Sequence, residues 1–253
     1  MAAEPEPGAA RTSNRDLWER HARWWQDGFT DGADPEYVEQ ILPLAAQWLR
    51  GHDRVVDIGC GEGQVSRLVA DIGAAQVVGL DPTRGQVATA RARGGAHYVR
   101  AGSDRLPFPD GHFDAAVTCL VFEHVDALDE SLAEVARVLR EGGRFVLFLN
   151  HPLLQTPGSG WIDDQMLEPP EQYWRIGPYL TEQRTTEEVE PGVFIEFLHR
   201  PLSRYVNGLA DNGMVVRHMA EPAPPPGFLI RAPEYEEAAT IPRLLLLVAD
   251  KMA

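Results

Sequence analysis

The chain has 253 residues, 44% of them hydrophobic and 24% charged, with a formal net charge of −15. That length buries one main core, and no apolar run approaches the roughly 20 residues that span a bilayer. The negative charge, with no Lys or Arg cluster to offset it, repels phosphate backbones and anionic membranes, and a single lysine, Lys251, excludes mechanisms built on a catalytic lysine.

Met1 to Asn14 mixes Pro, Gly, Ala and both signs of charge without the apolar segment of a secretory signal, and reads as a disordered tail. Asp16 to Asp27 carries Leu17, Trp18, His21, Trp24 and Trp25 near one helical face, and Tyr37 to Leu49 repeats such a pattern, so two helices are expected. From Arg54 to Leu149 short apolar runs alternate with helical stretches, the pattern of a parallel sheet covered on both faces. The runs are Val55 to Ile58, Gln76 to Leu80, His97 to Ala101, Phe113 to Cys119 and Arg144 to Leu149. The helices between them are Gln64 to Ile72, Arg84 to Arg93 and Asp126 to Arg140, the last stopped by Gly142 and Gly143.

Residues 151–200 are rich in Pro, Gly, Trp and acids, too long for a connection, and read as an insertion over the sheet whose one strand-like run is Val193 to His199. A helix Leu202 to Asp211, a strand Met214 to Met219, a Pro-rich loop Glu221 to Gly227 and a strand Arg243 to Val248 complete the chain. The predicted fold is α/β: a doubly wound, seven-stranded mixed sheet with an N-terminal helical lid (15–50), a core (54–150), the insertion, and a C-terminal part of the sheet (201–253). Cys60 and Cys119 fall in a tight turn and a buried strand, which argues against a disulfide and for a reducing cytoplasm.

The richest stretch is Val55-Val56-Asp57-Ile58-Gly59-Cys60-Gly61-Glu62-Gly63, where a strand turns sharply into the helix from Gln64. Glycines there let the backbone approach a ligand at the strand's carboxyl end; alone, such a turn also serves as a plain structural loop. Asp81 closes the next strand, where an acid accepts hydrogen bonds from two ribose hydroxyls or caps the helix after Pro82. Counting from Gly59, the dinucleotide fingerprint needs glycine at the sixth position, and that position is Gln64. The spacing Gly59, Gly61, Gly63 therefore favours a nucleoside without a pyrophosphate.

With Leu106-Pro107-Phe108-Pro109-Asp110-Gly111-His112-Phe113-Asp114 and Val138-Leu139-Arg140-Glu141-Gly142-Gly143-Arg144, this stretch resembles the class I S-adenosylmethionine-dependent methyltransferases of the small-molecule, methyltransferase type 11-like kind. The resemblance covers roughly Arg54 to Asn150. It implies S-adenosylmethionine as cofactor, held by Asp57, Gly59, Cys60 and Gly61, with Asp81 and Pro82 at the ribose and Cys119 and Leu120 at the end of strand four. Gly102 stands where the family usually has an acid, so Ser103 and Asp104 are expected at the adenine.

The resemblance also puts the residues after strand four, Phe122-Glu123-His124-Val125, beside the acceptor. His124 is a candidate general base, with a structural role in closing the pocket floor as the alternative. His151, after strand five, is the second candidate base, or a turn residue fixed by Pro152. Trp25, Phe29, Tyr173 and Trp174 are expected to form a lid that excludes water and holds an apolar acceptor, and His199 to shape that pocket. The spacings of His and carboxylates show no metal cluster.

The expected activity is in-line methyl transfer to a small molecule, most simply at oxygen, without nucleic acid or membrane as partner. The alternatives are a non-catalytic cofactor-binding regulator and an NAD-dependent oxidoreductase.

Overall fold

The computed structural model describes residues 13–232 and 237–253. Residues 1–12, most of the expected disordered tail, lie outside the described residues. Ser13 caps the first helix, accepting a hydrogen bond from the Asp16 amide at 3.2 Å, so the helix starts at Asn14, inside the stretch read as tail.

Seven strands form one sheet: β1 (Arg54–Ile58), β2 (Gln76–Asp81), β3 (His97–Arg100), β4 (Phe113–Cys119), β5 (Leu139–Asn150), β10 (Met214–Ala220) and β11 (Leu244–Lys251). Their order is β10-β11-β5-β4-β1-β2-β3. Strands β1 to β5 pair in parallel, and β11 enters antiparallel between β5 and β10. The seven-stranded mixed α/β sheet is the one expected.

Alternate residues of each strand feed two cores. One face buries Val56, Ile58, Phe145, Leu147 and Leu247 with helices α5 (Leu128–Val138) and α6 (Leu202–Asp211). The other buries Val55, Val146, Phe148 and Leu246 with α2 (Leu42–Leu49) and α3 (Gln64–Asp71). Burial on both faces explains the continuous apolar runs in place of alternation. The strand order reverses at β1, with β2 on one side and β4 on the other, which opens a crevice at their carboxyl ends. Helix α1 (Asn14–Phe29) lies against α4 (Arg84–Arg93).

Three boundaries differ from expectation. The helix expected over Tyr37 to Leu49 begins with a wide turn, Tyr37–Ile41, in which the Leu42 amide bonds the Tyr37 carbonyl; Pro43 next in line has no N–H to give the Glu39 carbonyl. Helix α5 ends at Val138, earlier than the glycine pair suggests, because Leu139 already pairs with Phe113 as strand. The Pro-rich loop at Glu221 to Gly227 runs into a short helix, α7 (Pro226–Arg231).

The insertion holds two hairpins, β6 (Gly160–Asp164) with β7 (Glu171–Arg175), and β8 (Gln183–Glu190) with β9 (Val193–His199). Only β9 is legible as a strand, since the other three are largely solvent-facing and lack an apolar side.

Phe145 is fully buried between α5 and the sheet, so Phe145→Ala should cost about 3–5 kcal/mol, read as a lowered urea midpoint with unchanged slope.

Candidate functional site

The end of β1 is tied to β2 before any side chain acts: the Gly59 and Cys60 amides both donate to the Leu80 carbonyl, at 2.8 and 2.9 Å. Gly59 has φ +73°, and a Cβ there would run into the Val121 side chain. The Gly61 amide, at φ +54°, donates to Asp81 Oδ2 at 3.1 Å. Asp81 Oδ1 accepts from the Thr83 amide and hydroxyl at 2.8 and 2.7 Å. Burial raises the Asp81 carboxyl above its ordinary value, against hydrogen bonds from Thr83 and Gly61 that lower it. The glycine turn and the acid that closes β2 thus meet at one place.

They meet on a cavity of about 340 Å³, within the range of small-molecule sites. Asp57, Gly59, Cys60, Gly61, Asp81, Pro82, Ser103, Asp104, Cys119 and Leu120 all line it. Asp57 spends one carboxylate oxygen on Ser66 Oγ, 2.6 Å away, and burial pushes its carboxyl up to about 7. Ser103 is buried and bonds Ser131 Oγ at 2.8 Å, whereas Asp104 is exposed at the rim. Cys119 contacts the Tyr37 hydroxyl at 3.5 Å, and burial raises its thiol. Leu120 sits in the left-handed region, φ +55°, a conformation a branched side chain adopts only when its surroundings fix it; this bend carries the chain to Val121 above Gly59.

The far side of the cavity is aromatic. Trp25 stacks on Phe29, with centroids 4.4 Å apart, and its Nε1 lies 3.8 Å from where a Cβ of Gly61 would stand. Trp18 meets Trp25 and His124 edge-on, at 5.4 and 4.9 Å. Trp25 lines the cavity, and Phe29 backs it.

His124 also lines the cavity. Its Nδ1 lies 2.9 Å from the Glu196 carbonyl, a partner that only accepts, so Nδ1 carries the proton and Nε2 the lone pair. Burial drives the imidazole down to about 4, and it is neutral at pH 7.

The other candidates are not brought to the cavity. Nδ1 of His151 accepts from the Leu153 amide at 3.1 Å, and Nε2 faces Glu221 at 2.8 Å. Both nitrogens are engaged, which corrects the expectation of a second base. His199 is buried, with Nε2 on the Tyr179 carbonyl at 2.8 Å. Tyr173 and Trp174 pair with Ile162 and Trp161 in the β6–β7 hairpin, and neither lines the cavity.

In place of these the structure supplies Asn14, Trp18, Tyr37, Glu62 and Gln86. Trp18 and Trp25 are seven apart, two helical turns, a spacing that signals one face. Nothing in the sequence singles out Asn14, which stands where the tail was read.

Helix α1 is fastened to the start of α4 at several points. Glu19 accepts from the Arg84 and Gly85 amides at the start of α4, at 2.5 and 2.9 Å, and Gln26 donates to Gln86 at 2.8 Å. Glu62, 1% exposed, is held by Arg67 at 2.7 Å and by Arg93, which also reaches Asp31 at 2.7 Å. Among the described residues no three His, Cys, Asp or Glu side chains converge as a metal site, and no helix is long and apolar enough to cross a membrane.

A model of a methyltransferase domain matches residues 56–147. A probable S-adenosylmethionine-dependent methyltransferase of Mycolicibacterium smegmatis is 38% identical over 149 residues, 52% of this chain and 58% of that protein. The O-methyltransferase cnsE of Penicillium expansum is 34% identical over 42% of each chain, and a ubiquinone/menaquinone biosynthesis C-methyltransferase of Vibrio parahaemolyticus 33% over 42% of this chain and 45% of its own. The chain thus spans about half the length of the curated relatives it matches.

The crystal structure of an S-adenosylmethionine-dependent methyltransferase from Mesorhizobium loti superposes with a TM-score of 0.70 at 30% identity, over 87% of this chain and 99% of that one. The chain belongs to the class I S-adenosylmethionine-dependent methyltransferases. The residues present fit the family's cofactor: the turn at Gly61 and the held carboxylate of Asp81 border one cavity.

Glu123, beside the candidate base, is buried; Oε1 accepts from the Asn150 amide and side chain at 3.1 and 3.0 Å, and Oε2 has no partner. Burial raises its carboxyl from the ordinary 4.5 to about 7. Its contribution to stability is therefore full below pH 4.5 and is lost as pH rises through about 7. Glu123→Gln should remove that loss, so the melting temperature of the variant relative to the parent should climb steadily from pH 4 to pH 8.

Proposed function

We propose that the protein transfers a methyl group from S-adenosylmethionine to a hydroxyl oxygen of a small-molecule acceptor. The observation that carries this reading is the single cavity that joins the Gly61–Asp81 contact to His124 and Trp18. Bound there, the cofactor supplies a sulfonium-activated methyl group to an in-line nucleophile.

The chain's own residues bind, orient and exclude water. Asp81 accepts hydrogen bonds from ribose hydroxyls, the turn at Gly59, Cys60 and Gly61 accommodates the methionine portion, and Ser103 and Asp104 lie at the adenine. Trp18 and Trp25 close the far wall and keep water from the reacting atoms. With α1 fastened over them, two reactants are held as one, which is where most of the acceleration comes from.

His124 is placed to take the proton of a hydroxyl acceptor. As a bond to a hydroxyl forms, its proton becomes strongly acidic, and Nε2 of a base with a pKa of about 4 accepts it. The O-methyltransferase relative is in keeping with this reading, and the C-methyltransferase relative makes carbon the competing outcome.

Isothermal titration with S-adenosylhomocysteine tests the cofactor, and no binding at millimolar concentration ends the proposal. Asp81→Ala removes two hydrogen bonds to a charged group, each worth about 1.5–3 kcal/mol, and should weaken binding by about 100-fold or more. Methyl transfer from labelled cofactor to a panel of hydroxylated small molecules, read by mass spectrometry, tests the acceptor. Binding without turnover on any of them favours a non-catalytic regulator, and label on carbon or nitrogen overturns the assignment to oxygen.

A further inference from the structure

Asn14, the first residue of α1, ties together three segments that are remote in sequence. Its Nδ2 donates to the His124 carbonyl at 2.6 Å and to the Glu196 carbonyl at 3.1 Å. The Glu196 carbonyl is also the partner of His124 Nδ1, at 2.9 Å. One carbonyl of β9 therefore receives both the imidazole and the amide, and the amide in turn holds the peptide from which the imidazole springs.

The side chain is buried and its Oδ1 has no partner. An unpaired buried acceptor is costly, and holding α1 in place does not require it. Ser13 already caps the helix, and Glu19 and Gln26 already fasten it. What the amide does that these do not is fix the geometry around His124.

We infer that Asn14 is a positioning residue for His124: when α1 docks, its amide fixes the His124 backbone and the Glu196 carbonyl so that the imidazole keeps one tautomer with Nε2 free. This rests on the reading of His124 as the proton acceptor. Docking of the lid and readiness of the base become one event, because the residue that starts the lid also completes the frame of the imidazole. Trp18, one turn along, adds an edge contact to the ring at 4.9 Å, and Phe197 flanks it at 4.8 Å.

The charged groups around the ring are committed elsewhere. On β9 the Glu196 carboxylate pairs with Arg184 of β8, which also pairs with Asp126. Glu123 faces Asn150. On α1, Arg15 pairs with Asp16, and His21 accepts from the Phe194 amide at 3.4 Å. The state of the imidazole accordingly follows from its burial and its single carbonyl partner.

The test is nuclear magnetic resonance of imidazole-15N-labelled protein saturated with S-adenosylhomocysteine, with His124→Ala to assign the signal. The parent should show His124 as the Nδ1-protonated tautomer with a midpoint near 4. Asn14→Ala and Asn14→Leu, the second of nearly the same size but without donors, should mix the tautomers and, because the Glu196 carbonyl bond is what holds the imidazole up against burial, lower the midpoint further. Ser13→Ala, which loosens the same helix end by loss of its cap, should leave tautomer and midpoint where they are.

An unchanged His124 signal in both Asn14 variants overturns the inference, as does a shift in Ser13→Ala as large as theirs. Failure of the parent to bind S-adenosylhomocysteine, seen separately by titration calorimetry, strikes the proposed reaction instead and leaves the apoprotein spectra to decide the role of Asn14.

Discussion

The contact from the Gly61 amide to the Asp81 carboxylate is the constraint on which the rest of the site depends. It requires the chain after β1 to turn with positive φ at Gly59 and Gly61, which side-chain-bearing residues resist, and it requires the acid to stand at the end of the neighbouring parallel strand. Strand order reverses at β1, so the crevice that the turn borders stays open instead of being bridged by a helix. Every other group at the cavity, from Leu120 and Val121 above Gly59 to Trp25 beside Gly61, is arranged against that fixed point.

Helix α1 is held by polar contacts that reach the segments bordering the cavity. Glu19 gives a carboxylate to the N-terminus of α4, where unpaired amides and the helix dipole favour negative charge. Glu62 sits within the glycine turn and is neutralised by Arg67 and Arg93, the second of which continues to Asp31 just past the end of α1. A buried charge left without its partner is expensive, so loops and lid are coupled electrostatically as well as by packing. The insertion joins the same arrangement from the other side, because the Glu196 carbonyl of β9 receives His124.

Burial sorts the histidines by what they can do. His124 and His151 both sit at carboxyl ends of sheet strands, and their positions in sequence look equivalent. His151 has a partner on each ring nitrogen, whereas His124 has a partner on one and the cavity beside it. The difference lies in residues far away, Glu221 in one case and Glu196 in the other.

The sheet, its two covered faces and the glycine-turn wall of the cavity are legible in the chain because they arise from local signals. Apolar runs of strand length, glycines at Gly59, Gly61 and Gly63, and an acid closing the next strand act over a few residues and mean the same in any context. The opposite wall is set by long-range packing. Asn14 became part of the site through carbonyls 110 and 182 residues away, and Tyr173, Trp174 and His199 were left out of it by the course of two hairpins, of whose strands only β9 carries an apolar run to announce it. A strand or a turn is fixed by the neighbours in the chain, but which side chains share a cavity is fixed by how distant segments pack.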